Sequence, residues 1–390
     1  MGKVYKQGAW NTVLLFLGIG IGFINEFILL RNVLESDEVG LLKILMQIAP
    51  IVVQLSSIGG VSILIRYFPK FKNRDSSHGG ILFGVISLAH LGFLFVGSLM
   101  FFFRNEIETS FGAKAPLFAE YYYLLFPISL FLLNFFIIEA YSRANYRTVV
   151  PIFLNEVLLR LLVSISVLFY AFDLISLHNF FIAFTIANCM MPILLAGWLY
   201  YKGDLHFKYV KTFFDKALFS QILKFGFYTM LSGFGARLYL NIDSIMIGKI
   251  IGLSALAVYA LGMYLSAMII APGRAIMRVA QPLVAEFIND NKIEEMDSLY
   301  KKVSINNLIA CGGLYLLVQA GLPAVMTFIQ DQKLYAGTIL VFNILGLSRV
   351  YIMAAGINGA IIVNSIYYRF ILYSNIVTVF IAIGFNMLLI

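Results

Sequence analysis

The chain has 390 residues, 61% of them apolar and only 12% charged, against roughly 45–50% and about 25% in soluble globular domains. A water-soluble fold cannot hide that much apolar surface, so lipid must be the solvent for much of it. The formal net charge of +8, in a chain this apolar, reads as basic loops on one side of a membrane rather than as a nucleic-acid surface.

Lys3 and Lys6 precede an apolar run from Trp10 to Leu30. The run is too long for the core of a signal peptide and lacks a small-residue cleavage site, so it reads as the first membrane helix. A spanning helix needs about 20 mostly apolar residues. Eleven stretches qualify: residues 10–30, 43–65, 80–103, 121–141, 151–172, 179–201, 222–248, 254–280, 303–329, 335–357 and 367–390. The longer polar connections, 202–221 and 281–302, are expected to carry short amphipathic surface helices. The last span stops at Asn386-Met387-Leu388-Leu389-Ile390 with no polar tail, which suggests a chain truncated in its C-terminal half.

Lysine and arginine placement orients the spans. With the N-terminus in the cytoplasm, 19 of the 28 basic residues fall on that side, 6 fall opposite (Arg31, Lys43, Arg104, Lys114, Lys249 and Lys333), and Arg160, Arg237 and Arg349 stay inside spans. A weak internal repeat is also legible. Aligning Glu26 of the first span with Asp243 of the seventh brings both helix ends and both following turns into register, and Arg66 with Pro69 near the end of the second span answers, with a gap of a few residues, Arg278 with Pro282 near the end of the eighth. The expected plan is all-α and polytopic. It has an N-terminal lobe of six helices (residues 1–201), a cytoplasmic linker (202–221) and an incomplete, pseudo-symmetric second lobe (222–390), with a central cavity.

Ionisable groups inside hydrocarbon cost several kcal/mol on insertion scales and need a reason. Glu26 and Asp243 sit toward the outer ends of their spans. Glu156 with Arg160, and Glu139 with Arg143, lie one helical turn apart and can pair. Arg274 and Arg278 share that spacing near the inner end of the eighth span. One reading is structural pairing or snorkelling toward the interface, open for Arg66, Arg143, Arg274, Arg278, Glu26 and the Glu156–Arg160 pair. The other is an aqueous cavity with a basic lining. Arg237 and Arg349 favour it, being too deep to snorkel and lacking an acid one turn away. Arginine forks suit phosphate, whereas buried acids such as Glu26, Glu156 and Asp243 suit exchange of a proton or sodium ion. Cys189 and Cys311 have no CxxC partner, and the histidines are scattered, so no disulfide framework or metal site is expected. No acid, base and nucleophile converge, which argues against an enzyme.

The string Asn241-Ile242-Asp243-Ser244-Ile245-Met246-Ile247-Gly248 followed by Ala255-Leu256-Ala257-Val258-Tyr259 carries a resemblance, as do Val39-Gly40, Gly59-Gly60 and Arg66-Tyr67-Phe68-Pro69. These segments resemble the polysaccharide-exporter and Wzx-type O-antigen flippase branch of the multidrug/oligosaccharidyl-lipid/polysaccharide (MOP) superfamily. The resemblance implies two MATE-like six-helix lobes and alternating access driven by a proton or sodium gradient, with no other cofactor. It implies a polyprenyl-diphosphate-linked oligosaccharide as cargo, moved across a bacterial inner membrane alongside polymerase and other glycan-assembly proteins. The arginines that related flippases carry in helices 2 and 8 map onto Arg66, Arg274 and Arg278; no helix 1 arginine maps, since Arg31 lies past the end of the first span. The candidate site is thus Arg66, Arg160, Arg237, Arg274, Arg278 and Arg349 for diphosphate or sugar, with Glu26, Glu156 and Asp243 for the coupling ion. The same fold also serves drug and organic-cation antiport, but a cationic cargo favours an acid-rich cavity. A channel or scaffold in a glycan-assembly complex is a third reading.

Overall fold

The computed structural model describes residues 2–71, 78–210, 215–290, 292–364 and 369–389, with some side chains within them, among them those of Lys3, Lys6, Arg278, Pro282 and Arg369, outside the description. Apolar runs close into helices because a backbone in lipid must satisfy its own hydrogen bonds. α1 (Gly2–Ile24) continues through a π-helical segment, Asn25–Leu29, into a last turn, Leu30–Val33. α2 (Ser36–Ser56) opens on a reciprocal cap between Glu35 and Glu38. There follow α3 (Gly60–Phe71), α4 (Ile81–Phe102), the short α5 (Arg104–Gly112), α6 (Pro116–Ala144), α7 (Val149–Ala171) and α8 (Leu177–Tyr201). Residues 153–158 of α7 form a second π-helical segment. The Ser176 hydroxyl caps α8 by accepting from Asn179 N at 3.3 Å. The Asp215 carboxylate does the same for Leu218 N at 3.2 Å, starting α9 (Lys216–Ile250). Then come α10 (Leu253–Ile269), α11 (Ala271–Asn289), α12 (Ile293–Met326), α13 (Gln332–Ala354), α14 (Asn358–Asn364) and α15 (Arg369–Leu389).

Eight helices among the described residues are long and apolar enough to cross a membrane: α1 from Trp10, α2, α4, α6, α7, α8, α12 and α13. The other expected spans are helical too: α9, which carries Lys216, Lys224, Arg237, Asp243 and Lys249, α10 with 17 residues, and α15. Large apolar side chains such as Phe16, Phe95, Phe169, Leu316 and Phe380 point outward, as they do where lipid is the solvent. The chain is a multi-pass membrane protein.

The helices form two units, Met1–Leu253 and Ser254–Ile390. In the first, α6 is the centre and packs on α2, α3 and α8. Phe68, Phe71, Tyr141, Leu199 and Ile222 belong to its buried core. α9 packs along α2 and α3. In the second, α12 packs between α11 and α13, and Ala280, Val284, Val303 and Ile357 form a smaller core.

Three expectations change. The second span is not continuous over 43–65: it begins at Ser36 and breaks between Ser56 and Gly60. At the break Ile58 and Gly59 have positive φ, 46° and 72°. Glycine is needed there for a second reason, since a Cβ on Gly59 would run into the Gly226 carbonyl and the Thr229 hydroxyl of α9. The eighth span breaks likewise at Ile270, ahead of Pro272, so that α10 and α11 are separate helices. The connection 281–302 is largely helix, because α11 runs to Asn289 and α12 starts at Ile293. In the connection 202–221, residues 203–210 are not helical, residues 211–214 lie outside the description, and helix resumes at Lys216. Both breaks are followed by a helix that carries buried apolar residues, Ile63, Leu64, Tyr67 and Phe68 on α3 and Ala280 and Val284 on α11. Arg66 and Pro69 ride on the one, and Arg278 and Pro282 on the other. Each Arg–Pro arm of the faint sequence repeat thus lies on a helix that follows a break in its span.

Candidate functional site

The break in the second span leaves a cavity of about 300 Å³ where α2, α3, α6 and α9 meet in the first unit. Its polar lining includes Gln54, Ser57, Glu139, Arg143, Thr229 and Arg237. The floor is fixed by local bonds. Ser57 Oγ donates to Gln54 O at 3.1 Å, Gln54 Nε2 donates across to Met230 O at 3.2 Å, and Thr229 Oγ1 donates to Gly226 O at 3.0 Å. Gly233 lets the Gln54 amide lie directly on α9. Glu139 and Arg143 pair one turn apart at 3.6 Å, with side chains 24% and 43% exposed. The Arg237 guanidinium, on the exposed side of α9, has no ion-pair partner among the described residues. Two arginines against one glutamate make the lining net positive, and such a lining raises the local concentration of anions. One turn beyond Ser62 on α3, the Arg66 guanidinium stacks over the Phe225 ring at 4.3 Å.

A second polar cluster joins α1, α2 and α7 away from this cavity. Arg31 Nη1 donates to the Glu26 carboxylate at 2.7 Å and to the Glu26 carbonyl at 2.5 Å, and Lys43 Nζ pairs with the other Glu26 oxygen. The Arg31 side chain is fully buried. On α7, Arg160 pairs with Glu156 at 2.7 Å and also donates to Gly18 O of α1. Asn25 Nδ2 donates to Arg160 O at 2.9 Å, while Ser164 Oγ donates to Asn25 Oδ1 at 2.6 Å. Glu26 and Glu156 each lie in a π-helical segment. Such segments interrupt the regular hydrogen-bond ladder and recur at functional sites.

Of the residues expected to form the site, the structure brings only Arg237 into the cavity, with Arg66 one turn away. Arg160, Glu26 and Glu156 belong to the α1–α7 cluster. Asp243 is half-buried on α9 and is not among the cavity's lining residues. In the second unit Arg274 is exposed on α11, Arg349 is half-buried on α13, and the Arg278 side chain lies outside the described residues. Sequence reasoning missed Lys43 and Arg31 as partners of Glu26, having placed both in outer connections. It paired Glu139 with Arg143 but did not place them beside Arg237. The interruption at Ser57–Gly59 was the available signal, because it turns α3 away and opens the space between α6 and α9.

A family model described as polysaccharide biosynthesis protein matches residues 4–287. No curated protein sequence matches the chain. Among solved structures, lipid II flippase MurJ in an inward closed conformation is similar at TM-score 0.60 and 15% identity, over 91% of this chain and 78% of that one. A MATE structure in complex with MaL6 is similar at TM-score 0.60 and 16% identity, over 97% and 86%. A MOP superfamily transporter from Pyrococcus furiosus is similar at TM-score 0.55 and 13% identity, over 99% and 95%. The all-helical fold is that of MOP superfamily transporters, and with the family model covering most of its length the chain belongs to the polysaccharide biosynthesis protein family.

Proposed function

We propose that the chain is a flippase that moves a polyprenyl-diphosphate-linked oligosaccharide across a bacterial inner membrane by ion-coupled alternating access, with its N-terminus in the cytoplasm. The observation that carries this reading is the net-positive cavity holding Arg143 and Arg237 inside a membrane-embedded helical unit. Its volume of about 300 Å³ stands at the low end of small-ligand pockets, ~300–1,000 Å³. That suits a charged headgroup rather than an oligosaccharide. Arginine keeps its charge when partly buried and offers phosphate a planar fork. The family description and the likeness to a protein named lipid II flippase support a lipid-linked glycan as the cargo class.

Coupling is assigned to Glu26, Glu156 and Asp243, all in the first unit. A proton or sodium ion arriving at Glu26 must displace Arg31 or Lys43. Lys43 is on α2 and Glu26 on α1, so that exchange loosens one helix from the other. Glu156 has the same property toward Arg160, which also ties α7 to Gly18 of α1. Glu139 is the observation favouring a second reading, antiport of an organic cation, since a cationic drug would seek a carboxylate in the cavity. The test is export in cells lacking their own flippase. Surface glycan restored by the wild-type chain and lost with Arg237→Ala and with Arg143→Ala, the two arginines of the cavity, supports glycan export. Unchanged export with both replacements removes the basic-cavity reading.

A further inference from the structure

We propose that Glu139 is the resident counter-anion of the cavity: it holds Arg143 while the cavity is empty and yields it to a phosphate of the incoming cargo. This rests on the phosphate-bearing cargo proposed above. Glu139 is the one carboxylate among the described residues lining the cavity, which it shares with Arg143 on its own helix and Arg237 on α9. The lining contributed by α2 and α3 is uncharged, with Gln54, Ser57 and Ser62 as its polar members. The Glu139–Arg143 separation of 3.6 Å lies beyond hydrogen-bond range, and both side chains are partly exposed. A pair of this kind is weakly held. Phosphate, by contrast, accepts two parallel bonds from one guanidinium. Glu26 and Glu156 differ: their arginine contacts are 2.7 Å and further hydrogen bonds brace them.

The counter-anion also sets selectivity. With Glu139 ionised, the three charged groups sum to +1, so a lone phosphate gains little over the glutamate it displaces. A diphosphate engages Arg143 and Arg237 together and overcomes the competition. Glu139 therefore acts as a specificity-determining residue that favours diphosphate over monophosphate.

The test is binding of inorganic pyrophosphate and inorganic phosphate to the purified full chain by calorimetry, with melting temperature recorded for every variant. Glu139→Gln is expected to tighten pyrophosphate binding about two- to fivefold, the range by which a partly exposed ion pair competes. It should tighten phosphate more, so that the preference for pyrophosphate shrinks. Adding Arg143→Ala should abolish the gain. Glu139→Gln that melts with the wild type yet binds pyrophosphate no more tightly, while Arg237→Ala weakens binding, overturns the counter-anion and leaves the phosphate cavity standing. Absence of pyrophosphate binding in both wild type and Glu139→Gln overturns both. If Glu139→Gln fails to fold, Glu139→Asp keeps the charge and shortens the reach. Tighter binding by that variant supports the proposal, and unchanged binding overturns it.

Discussion

Glu26 sits between two cations, and the cost of changing each partner differs in a way that can be worked out. Glu26, Arg31 and Lys43 sum to +1, with the Arg31 side chain fully buried and that of Glu26 only 12% exposed. Replacing Glu26 with Gln leaves two neighbouring cations without their carboxylate. Breaking a buried pair from one side costs about 3–5 kcal/mol, and here like-charge repulsion adds to it. Replacing Lys43 with Met leaves the neutral Glu26–Arg31 pair, still bonded through both the carboxylate and the carbonyl. That loss is about 1 kcal/mol, the value for a partly exposed partner, since the Lys43 side chain is 21% exposed. Arg31→Met keeps a neutral Glu26–Lys43 pair but strips a donor from the Glu26 carbonyl, adding about 1–3 kcal/mol for an unmade bond. The expected order of destabilisation is Glu26→Gln, then Arg31→Met, then Lys43→Met. It can be measured by thermal unfolding in detergent followed by size-exclusion chromatography. A Lys43→Met protein as unstable as Glu26→Gln, or a Glu26→Gln protein that melts like the wild type, would refute the charge reasoning.

Other perturbations separate packing from the polar sites. Gly59→Ala must place a Cβ against Gly226 and Thr229 at φ 72°; a loss of about 1–3 kcal/mol should appear as reduced folded yield. Gly20→Ala and Gly235→Ala meet nothing within 4 Å, so both should melt at or slightly above the wild type, as expected for glycine removed from a helix. Ser164→Ala removes the bond that holds the Asn25 carboxamide oxygen and should cost about 1 kcal/mol without altering pyrophosphate binding, because the cluster is apart from the cavity. Arg66→Lys should bind pyrophosphate less well than the wild type, since the flat guanidinium stacked on Phe225 has no equivalent in an ammonium.

The sequence was informative where physics is local. Apolar run length located α4, α6, α7 and α8 to within a few residues. Arg237, mid-span in the sequence with no acid one turn away, lines the cavity, on the exposed side of α9. The misses share a cause. Apolar length places the second span at 43–65, while the helix starts at Ser36, where Glu35 and Glu38 cap each other. Glutamate is not among the preferred capping residues, so that start is poorly signposted, and Lys43 lies two turns inside the helix rather than at its first residue. The breaks at Ile58-Gly59 and Ile270 are set by tertiary approach as much as by local preference. Gly59 needs its glycine because α9 lies against it, which no window along one segment can reveal. The π-helical segments at Asn25–Leu29 and Phe153–Leu158 were likewise invisible, because hydropathy does not distinguish a widened turn from a regular one.

The most direct measurement is transbilayer movement itself. The purified chain is reconstituted in proteoliposomes with a fluorescent polyprenyl-diphosphate-linked oligosaccharide, and flipping is read as loss of access to a membrane-impermeant quencher. Movement accelerated by the wild type, slowed at least about tenfold by Arg237→Ala, as loss of a charge-assisted hydrogen bond predicts, and unaffected by excess organic cation is the expected result. A wild-type chain that moves no lipid-linked sugar, or an Arg237→Ala chain that moves it at full rate, would contradict the proposed transport through a basic cavity.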